Sequence, residues 1–350
     1  MITSYKPVLE RTRGTTVESL HYGAAAVVDS SGKLLAWIGN PQLVTYLRSA
    51  AKPFQAIPFV EQGGARAFGL LPREISQICA SHGGTDMHVD AVRGIQAKVG
   101  IEESHLQCGS HPPLDRETTE ALIAAGEKPT SIRHNCSGKH TGMLAQAKSR
   151  GLPLSNYLDL EHPIQKDILA AFSEMCQIDP AEVKLGTDGC SAPNFAIPLY
   201  NAALGFARLT DPHELHQKRA EACQIITSAM MGFPEMVSGY GRFDTRLMQV
   251  GRGKLVVKTG AEGYLAVGIL PNLTEAGPKG VGIALKISDG DKTEAVRAAV
   301  MIEILRQLGI VDDKEMEELA EFGPVNPILN WRKLIVGESR PVFNLEKENV

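Results

Sequence analysis

Two kinds of pattern divide this 350-residue chain: runs rich in strand-forming residues lie at both ends, and helical periodicity fills the middle. Residues 23–39, GAAAVVDSSGKLLAWIG, predict a β-hairpin, because two strand-forming runs flank a turn cluster that ends in glycine. The runs KLVVKTG, GYLAVGIL and GVGIALKIS predict further strands, and RPVFNL predicts a last one. We therefore expect an α/β fold with a sheet formed from both chain ends, helices packed on it, and a helical insertion.

The middle of the chain, from about residue 73 to residue 232, shows apolar residues at helical spacing. The late strands are short and closely spaced, which favours a mostly antiparallel sheet. We expect a single unit over residues 1–350, with a sheet part in about 1–70 and 240–350 and a mostly helical part in about 71–239. The segments with the best helical periodicity are HVDAVRGIQAKV, ETTEALIAAG, HTGMLAQAKSRG, PIQKDILAAFSEM, PHELHQKRAEACQIITSAM and, after the strands, KTEAVRAAVMIEILRQLG.

Charge and hydropathy exclude several classes of protein. The formal net charge is -4 and the sequence pI is near 6.2, so we expect no affinity for nucleic acid or an anionic membrane. The first residues, MITSYKPVLERTRG, carry charges where a secretion signal needs an apolar core, and no apolar run approaches the ~20 residues of a membrane span. These features favour a cytoplasmic protein, in which the six cysteines stay reduced.

The stretch YLRSAAKPFQ places Ser49 three residues before Lys52, where a strand-like run gives way to a predicted helix. A serine hydroxyl is a good nucleophile only when a base takes its proton, and residues i and i+3 share a helix face. Lys52 is therefore a candidate base. Pro53 suits the first helical turn, because its missing N–H costs little there. The commoner arrangement for such a pair is a solvated helix face.

A second lysine motif favours a catalytic role for Ser49 and Lys52 over a solvated helix face. The run LVVKTGAEG carries Lys258, Thr259 and Gly260 at the end of a predicted strand. Serine β-lactamases and penicillin-binding proteins combine Ser-x-x-Lys with Lys-Thr-Gly on a strand edge. The order, spacing and context fit this combination, which favours an active-site lysine over an exposed lysine at a strand end.

A third polar site lies in CASHGGTDMH, where Ser81 follows an apparent helix and two glycines come next. Glycines at such a place leave the backbone open toward a ligand. Ser81 is then either a second active-site hydroxyl paired with Lys258 or a helix cap. His82, His88 and His111 are candidate ligands or bases, although most loop histidines have neither role.

Two further segments combine cysteine with other potential ligands. RHNCSGKHTGM holds Cys136, Lys139 and His140 before a predicted helix, and GTDGCSAPN holds Asp188 and Cys190 in a predicted turn. Two cysteines on separate turns are compatible with zinc binding or with a reversible disulfide. The chain has no Cys-x-x-Cys, so it fits neither a zinc ribbon nor a zinc deaminase.

Taken in order, Ser49-x-x-Lys52, ASHGG, HNCSGKH, TDGC and KTGAEG resemble the motifs of the asparaginase II family, the rhizobial inducible type of L-asparaginase. The resemblance extends from HYGAAAVVD to GIALKISDGD, nearly the whole chain. It implies a serine β-lactamase-like fold, hydrolysis of L-asparagine to L-aspartate and ammonia, and a homodimer. It is not a resemblance to the enterobacterial asparaginases, which use a threonine nucleophile.

The resemblance also implies roles for particular residues. Family members have two Ser–Lys tandems and bind an auxiliary zinc ion through two cysteines and a lysine. The corresponding residues in this sequence are Ser49, Lys52, Ser81 and Lys258 for the tandems, and Cys136, Lys139 and Cys190 for zinc.

The substrate implied by the resemblance, L-asparagine, carries an α-ammonium and an α-carboxylate, and a site must meet both charges. We assign Asp188 to the ammonium and Arg48 to the carboxylate. Asn135, Gly260 and Glu262 belong to the same motifs, and we place them in the substrate site as well.

Two alternatives to an asparaginase remain open. One is a glutaminase or another serine amidase of the same superfamily, such as a β-lactam-binding enzyme. The other is a non-catalytic protein that binds zinc or an amino acid and releases no ammonia. For each of these we expect a small-molecule ligand and no nucleic-acid or membrane partner.

Overall fold

The computed structural model describes residues 4–274 and 277–347. The strands, in chain order, are β1 (Lys6–Arg13), β2 (Thr16–Asp29), β3 (Leu34–Ile38), β4 (Val44–Tyr46), β5 (Lys184–Thr187), β6 (Pro193–Pro198), β7 (Leu255–Thr259), β8 (Tyr264–Ile269), β9 (Val281–Ile287), β10 (Asn326–Leu329) and β11 (Ile335–Pro341). The α-helices are α1 (Lys52–Glu61), α2 (Gly64–Ala67), α3 (Pro72–Ile78), α4 (Asp86–Val99), α5 (Arg116–Ala124), α6 (Ser137–Ser149), α7 (Pro163–Cys176), α8 (Leu199–Thr210), α9 (Gln217–Gly232), α10 (Pro234–Val237), α11 (Phe243–Gly251), α12 (Ala295–Gln307) and α13 (Asp313–Glu318).

The chain forms two compact units. The first, called the sheet unit, comprises the described residues of Met1–Leu47, Ile197–Asp211 and Arg246–Val350. The second, called the helical unit, comprises Arg48–Ala196 and Pro212–Thr245.

An antiparallel sheet organises the sheet unit. Its strands follow the order β10-β11-β1-β2-β9-β8-β7, and β3 also pairs with β2. The predicted hairpin is present: β2 and β3 pair antiparallel, with Ala25 opposite Ile38. Strands from both chain ends thus lie side by side, and helices α8 and α12 pack on them. This is the α/β arrangement that the resemblance to serine β-lactamases predicts.

Helix α8 is held unusually close to the sheet. A side-chain Cβ at Gly282 in β9 would lie 1.8 Å from the carbonyl oxygen of Ala203, and one at Gly268 in β8 would lie 2.7 Å from that of Phe206. Only glycine permits this approach of helix and strand backbones.

The helical unit is built around α1. Nine of its ten residues, from Lys52 to Val60, are buried, because α6, α7 and α9 all pack against it. Phe54 and Phe172 meet edge to face with ring centroids 5.7 Å apart, a favourable geometry for aromatic pairs.

The two units differ from the predicted division of the chain in two segments. Helix α1 lies in the predicted sheet part but belongs to the helical unit, because its apolar residues are covered by helices. Helix α8 lies in the predicted helical part but belongs to the sheet unit, because it packs on β2, β8 and β9. The last strand also differs from the prediction. The segment RPVFNL covers residues 340–345, but only its first two residues belong to β11, which ends at Pro341.

Among the described residues, the helices are all too short or too polar to cross a membrane.

Candidate active site

The segment that carries Ser49 is a sharp connection. The short strand β4 ends at Tyr46, a 3-10 turn covers Arg48–Ala51, and α1 begins at Lys52 with a proline in its first turn. Arg48 has a φ of 53°, a left-handed conformation that is uncommon for arginine. Backbone strain of this kind is concentrated at functional sites.

Lys52 is buried rather than solvated. Its side chain is 1% exposed, and Nζ donates to the carbonyl oxygen of Ala80 at 2.6 Å and to Oγ of Ser81 at 2.8 Å. The carbonyl oxygen of Asn135 lies 3.5 Å from Nζ. The interpretation as a solvated helix face is therefore wrong.

The hydroxyl that meets Lys52 belongs to Ser81, not to Ser49. Within residues 4–274 and 277–347, Ser49 forms no hydrogen bond with Lys52, whose acceptors are Ala80, Ser81 and Asn135. Ser49 is half-buried. The assignment of Ser49 as the nucleophile stays a prediction, and the observed serine–lysine contact in this unit is Ser81–Lys52.

Ser81 does not cap a helix. Helix α3 ends at Ile78 and its C-cap is Cys79, and the N–H of Ser81 donates instead to the carbonyl oxygen of Val237 at 2.8 Å. Its hydroxyl oxygen accepts from Nζ of Lys52. The geometry favours the interpretation of Ser81 as a site hydroxyl.

His82 and His88 serve as internal hydrogen-bonding groups. Gly84 N–H donates to Nδ1 of His82 at 3.1 Å, so the proton is on Nε2, which donates to Ser137 Oγ at 2.9 Å. Nε2 of His88 donates to the carbonyl oxygen of Glu235 at 3.0 Å, and Nδ1 accepts from Thr85 Oγ1 at 2.7 Å. Burial lowers the pKa of both rings, and the neighbouring His88 lowers that of His82 further. Neither ring has a nitrogen left for a metal or a substrate.

The backbone of Asn135 contacts several other residues of the site. Its carbonyl oxygen accepts from the N–H of His82 at 3.2 Å and also faces Lys52. Its own N–H donates to Nε2 of His111 at 3.2 Å, and Nδ1 of His111 lies 2.5 Å from the carbonyl oxygen of Pro112. His111 thus has a structural contact with a predicted substrate-binding residue.

Arg48 and Asp188 form an ion pair. Nε of Arg48 donates to Oδ1 of Asp188 at 2.5 Å. Burial by itself raises the pKa of Asp188, but the charges of Lys139 and Arg48 outweigh it and lower that pKa to about 2. The pair presents one cation and one anion side by side, as recognition of an amino-acid zwitterion requires.

The two cysteine segments converge on one cluster. Ligand atoms of Cys136, Asp188 and Cys190 lie within 4.8 Å of one another, the one such group found in the described part of the chain. Nζ of Lys139 donates to Sγ of Cys190 at 2.9 Å. Lys139 lies inside α6 rather than before it, because that helix begins at Ser137.

Charge in this cluster is arranged for a cation. A hydrogen bond from Cys190 lowers the pKa of Cys136 well below its usual value, whereas Cys136 and burial raise that of Cys190. Burial alone would lower the pKa of Lys139, but the cysteine charges outweigh it and raise it. Two sulfurs with a carboxylate fit the ligand preferences of zinc, and Lys139 must lose a proton before it binds a metal.

The remaining predicted residues lie in the sheet unit. Lys258 is fully buried in β7, where Nζ donates to the carbonyl oxygen of Thr259 at 2.9 Å, so it is not an exposed lysine at a strand end. A Cβ at Gly260 would lie 2.3 Å from the carbonyl oxygen of Leu47, which explains the glycine. Glu262 is exposed. The Ser81–Lys258 tandem links residues of different units and stays a prediction.

Sequence reasoning singled out His140 but missed the residues that bind it. His140 contacts the Tyr157 hydroxyl, and Gln107 N–H donates to the same oxygen at 3.0 Å. Tyr157 lies in a connection without regular structure, so no local pattern marks it.

Comparison with known proteins gives a family and distant structural matches. None of the curated proteins searched matches the chain significantly. Among solved structures, Mglu in its native form shares 14% identity at a TM-score of 0.44, over 83% of this chain and 62% of Mglu. A Bacillus glutaminase shares 11% identity at 0.37, over 83% and 92%. The Bacillus subtilis glutaminase YbgJ, in a covalent complex with 5-oxo-L-norleucine, shares 11% at 0.36, over 83% and 89%.

These structural matches are too distant to bear on the function of this chain, which spans 62% of the length of Mglu. The family match covers nearly the whole chain: the family model described as L-asparaginase II matches residues 9–341. That stretch includes every motif on which the resemblance rests, and the chain belongs to the L-asparaginase II family.

Proposed function

We propose that this chain hydrolyses L-asparagine to L-aspartate and ammonia through a covalent serine intermediate. Family membership supports an amidohydrolase. The observation that carries the proposal is a buried lysine amine, on Lys52, bonded to the hydroxyl of Ser81 and three residues from Ser49. Nζ lies 2.8 Å from Oγ of Ser81, so a neutral amine at this position can exchange a proton with that serine.

In the first half of the reaction, Oγ of Ser49 attacks the side-chain amide carbon of asparagine while the neutral amine of Lys52 takes the hydroxyl proton. The amide oxygen becomes an oxyanion, which backbone N–H groups stabilise by ~3–4 kcal/mol per donor. The N–H of Ser49 is one candidate donor. The C–N bond then breaks, and the nitrogen leaves as ammonia with a proton relayed through Ser81 and Lys258.

In the second half, water attacks the β-aspartyl ester on Ser49. Lysine accepts the proton of the water, the ester C–O bond breaks, and that proton returns to Oγ of Ser49. The products are L-aspartate and the free enzyme. The role of Lys258 in both halves rests on the resemblance.

Substrate orientation is assigned to the ion pair. Asp188 would bind the α-ammonium and Arg48 the α-carboxylate, each exchanging one charged partner for another. Asn135, Gly260 and Glu262 complete the proposed substrate site. Asn135 is the best supported of these, since its backbone already joins Lys52, His82 and His111.

Zinc is proposed as an auxiliary ion held by Cys136, Cys190 and Lys139. When bound it would supply a fixed positive charge that tunes substrate binding. Asp188 belongs both to the ion pair and to the cluster of potential ligands, which is the physical link between the metal and the substrate.

Ammonia release is the direct test. The chain should release ammonia from asparagine faster than from glutamine and should not open a chromogenic β-lactam. Ser49→Ala should lose essentially all activity while it keeps its circular dichroism spectrum and melting temperature. Near wild-type activity of that variant would contradict the nucleophile. Binding of asparagine without ammonia release would favour the non-catalytic alternative, and repeating the assay after chelation measures the contribution of zinc.

Lys52→Arg separates a base from a structural cation. Arginine keeps a buried positive charge and can donate to Ser81, but it does not deprotonate in proteins. We therefore expect kcat to fall roughly 10²–10⁴-fold, the usual contribution of a general base. If Lys52 only bridged Ala80 and Ser81, the arginine variant would retain much of the activity.

A further inference from the structure

Two buried polar side chains next to Cys190 form a hydrogen-bonded pair: His140 of α6 and Tyr157. His140 and Tyr157 are both 0% exposed, and their rings meet edge to face with centroids 5.7 Å apart. Nδ1 of His140 lies 2.6 Å from the Tyr157 hydroxyl oxygen. Buried polar groups are normally hydrogen-bonded, so the partners of these two side chains determine where their protons lie.

The proton positions follow from the partners. Gln107 N–H donates to the Tyr157 oxygen at 3.0 Å, so that oxygen acts as an acceptor there. The hydroxyl proton then has Nδ1 of His140 as its acceptor within the described residues. A nitrogen that accepts the phenol proton carries no proton of its own, so the His140 ring is neutral. A neutral ring that accepts at Nδ1 carries its proton on Nε2.

The remaining nitrogen faces the cysteine cluster. Nε2 of His140 is fully buried and completes no hydrogen bond with any described residue. The side chain next to the ring on that side is Cys190, whose Sγ also accepts from Nζ of Lys139, the residue before His140, at 2.9 Å. A buried N–H donor next to a sulfur has one obvious acceptor.

We propose that His140 is a positioning residue, held in its Nε2–H tautomer by Tyr157, that directs an N–H donor at Sγ of Cys190 and prepares this sulfur for metal binding. Donors to metal-bound groups orient the ligand and typically change metal affinity by 10–100-fold. The inference rests on the proposed zinc site and is independent of the reaction that the site serves.

The tautomer also decides against His140 as a zinc ligand. A ring that bound zinc through Nε2 would need its proton on Nδ1 and would donate to Tyr157. The phenol proton would then need an acceptor other than His140, and the structure gives Tyr157 none within the described residues. His140 therefore acts behind Cys190 and not in its place.

Tyr157→Phe tests the proposal, because it removes the hydroxyl and keeps the ring. Zinc affinity of the full chain, measured by competition with a chromophoric chelator, should fall 10–100-fold. Tyr200→Phe is the matched control: it removes a phenol bond to the carbonyl oxygen of Gly32 in the sheet unit and should leave zinc affinity unchanged. Equal affinity of the Tyr157 variant and the unaltered chain would overturn the proposal.

Nitrogen-15 NMR of the histidine side chains gives a readout that needs neither activity nor affinity. His140 should show Nε2 protonated and Nδ1 unprotonated, with and without zinc, and Tyr157→Phe should lose this single tautomer. An unprotonated Nε2 in the zinc-bound chain would identify His140 as a ligand and overturn the proposal. If the unaltered chain binds no zinc, the metal site and this inference both fail, while ammonia release from asparagine still tests the proposed reaction separately.

Discussion

The ion pair between Arg48 and Asp188 joins two side chains that are each proposed to bind one charge of the substrate. Arg48 is about a quarter exposed and Asp188 about an eighth, so the pair is accessible without being freely solvated. Because each partner already holds an opposite charge, substrate binding exchanges one ion pair for two.

Replacement of Arg48 should therefore act on binding. We expect Arg48→Gln to raise the KM for asparagine by roughly 10–100-fold, which corresponds to the loss of one hydrogen bond to a charged group. Arg48→Lys keeps the positive charge, so its KM should lie between that of the unaltered chain and that of Arg48→Gln. Steady-state kinetics check this, and a KM that does not change in the glutamine variant would remove Arg48 from the carboxylate site.

At the scale of elements, the closest packing in the sheet unit is that of α8 on β9. Gly282→Ala would place a methyl group 1.8 Å from the carbonyl oxygen of Ala203, and neither backbone can move without disturbing the central sheet. We expect the free energy of unfolding to fall by about 2 kcal/mol or more, measured by chemical denaturation. Gly232→Ala, at the exposed end of α9 with no atom within 4 Å of the new Cβ, is the control and should not destabilise the chain.

The same element shows what the sequence could not reveal. Segments with clear periodicity, such as those of α4 and α7, were predicted because one face of each is apolar. The placement of α8 on the sheet depends on glycines some 60–80 residues further along the chain, a contact that no local pattern contains. The hairpin of β10 and β11 was likewise missed, since neither strand contains a buried residue.

The candidate site was also predicted only in part: its residues were found, but not the contacts between them. Motif residues such as Lys52, Ser81 and Cys190 were predicted, because their spacing carries a chemical meaning that survives without a structure. The contact of Lys52 with Ser81 was not predicted, because it joins residues from α1 and from the segment after α3. The bond between His140 and Tyr157 is equally invisible in the sequence.

On the scale of the whole molecule, the sheet unit has an exposed apolar region that suits the homodimer implied by the family resemblance. Trp331 is completely exposed, and Ile335 is 73% exposed. Arg340 of β11 forms an ion pair with Glu10 of the neighbouring strand β1, and an isologous dimer interface would use one such surface of each chain.

A double substitution tests this region. Trp331→Asp with Ile335→Asp should convert a dimer to a monomer, because it puts two unpaired charges into the interface. Light scattering after size-exclusion chromatography measures the mass. Ile123→Asp, at an exposed residue of α5 in the helical unit, should leave the mass unchanged. A monomeric unaltered chain would remove the dimer, and a dimeric double variant would place the interface elsewhere.

The helical unit should make the whole chain sensitive to acid. Burial lowers the pKa of His134 and His140 to about 4, below the ordinary 6.5 of histidine, and that of His82 falls well below 6.5. Between these values the unfolded chain binds more protons than the folded one, so stability is fully present above pH 6.5 and is lost as the pH falls toward 4. For His140, whose pKa falls to about 4, the loss is about 3 kcal/mol.

Chemical denaturation across this pH range, with a chelator present so that metal binding does not contribute, measures the slope. His140→Gln removes one buried ring that must charge on unfolding, so the free energy of unfolding should depend less steeply on pH. His213→Gln, at a half-exposed histidine, is the control and should keep the original slope. A flat profile in the unaltered chain would show that the buried histidines are not neutral in the folded state, and it would also remove the tautomer on which the role of His140 depends.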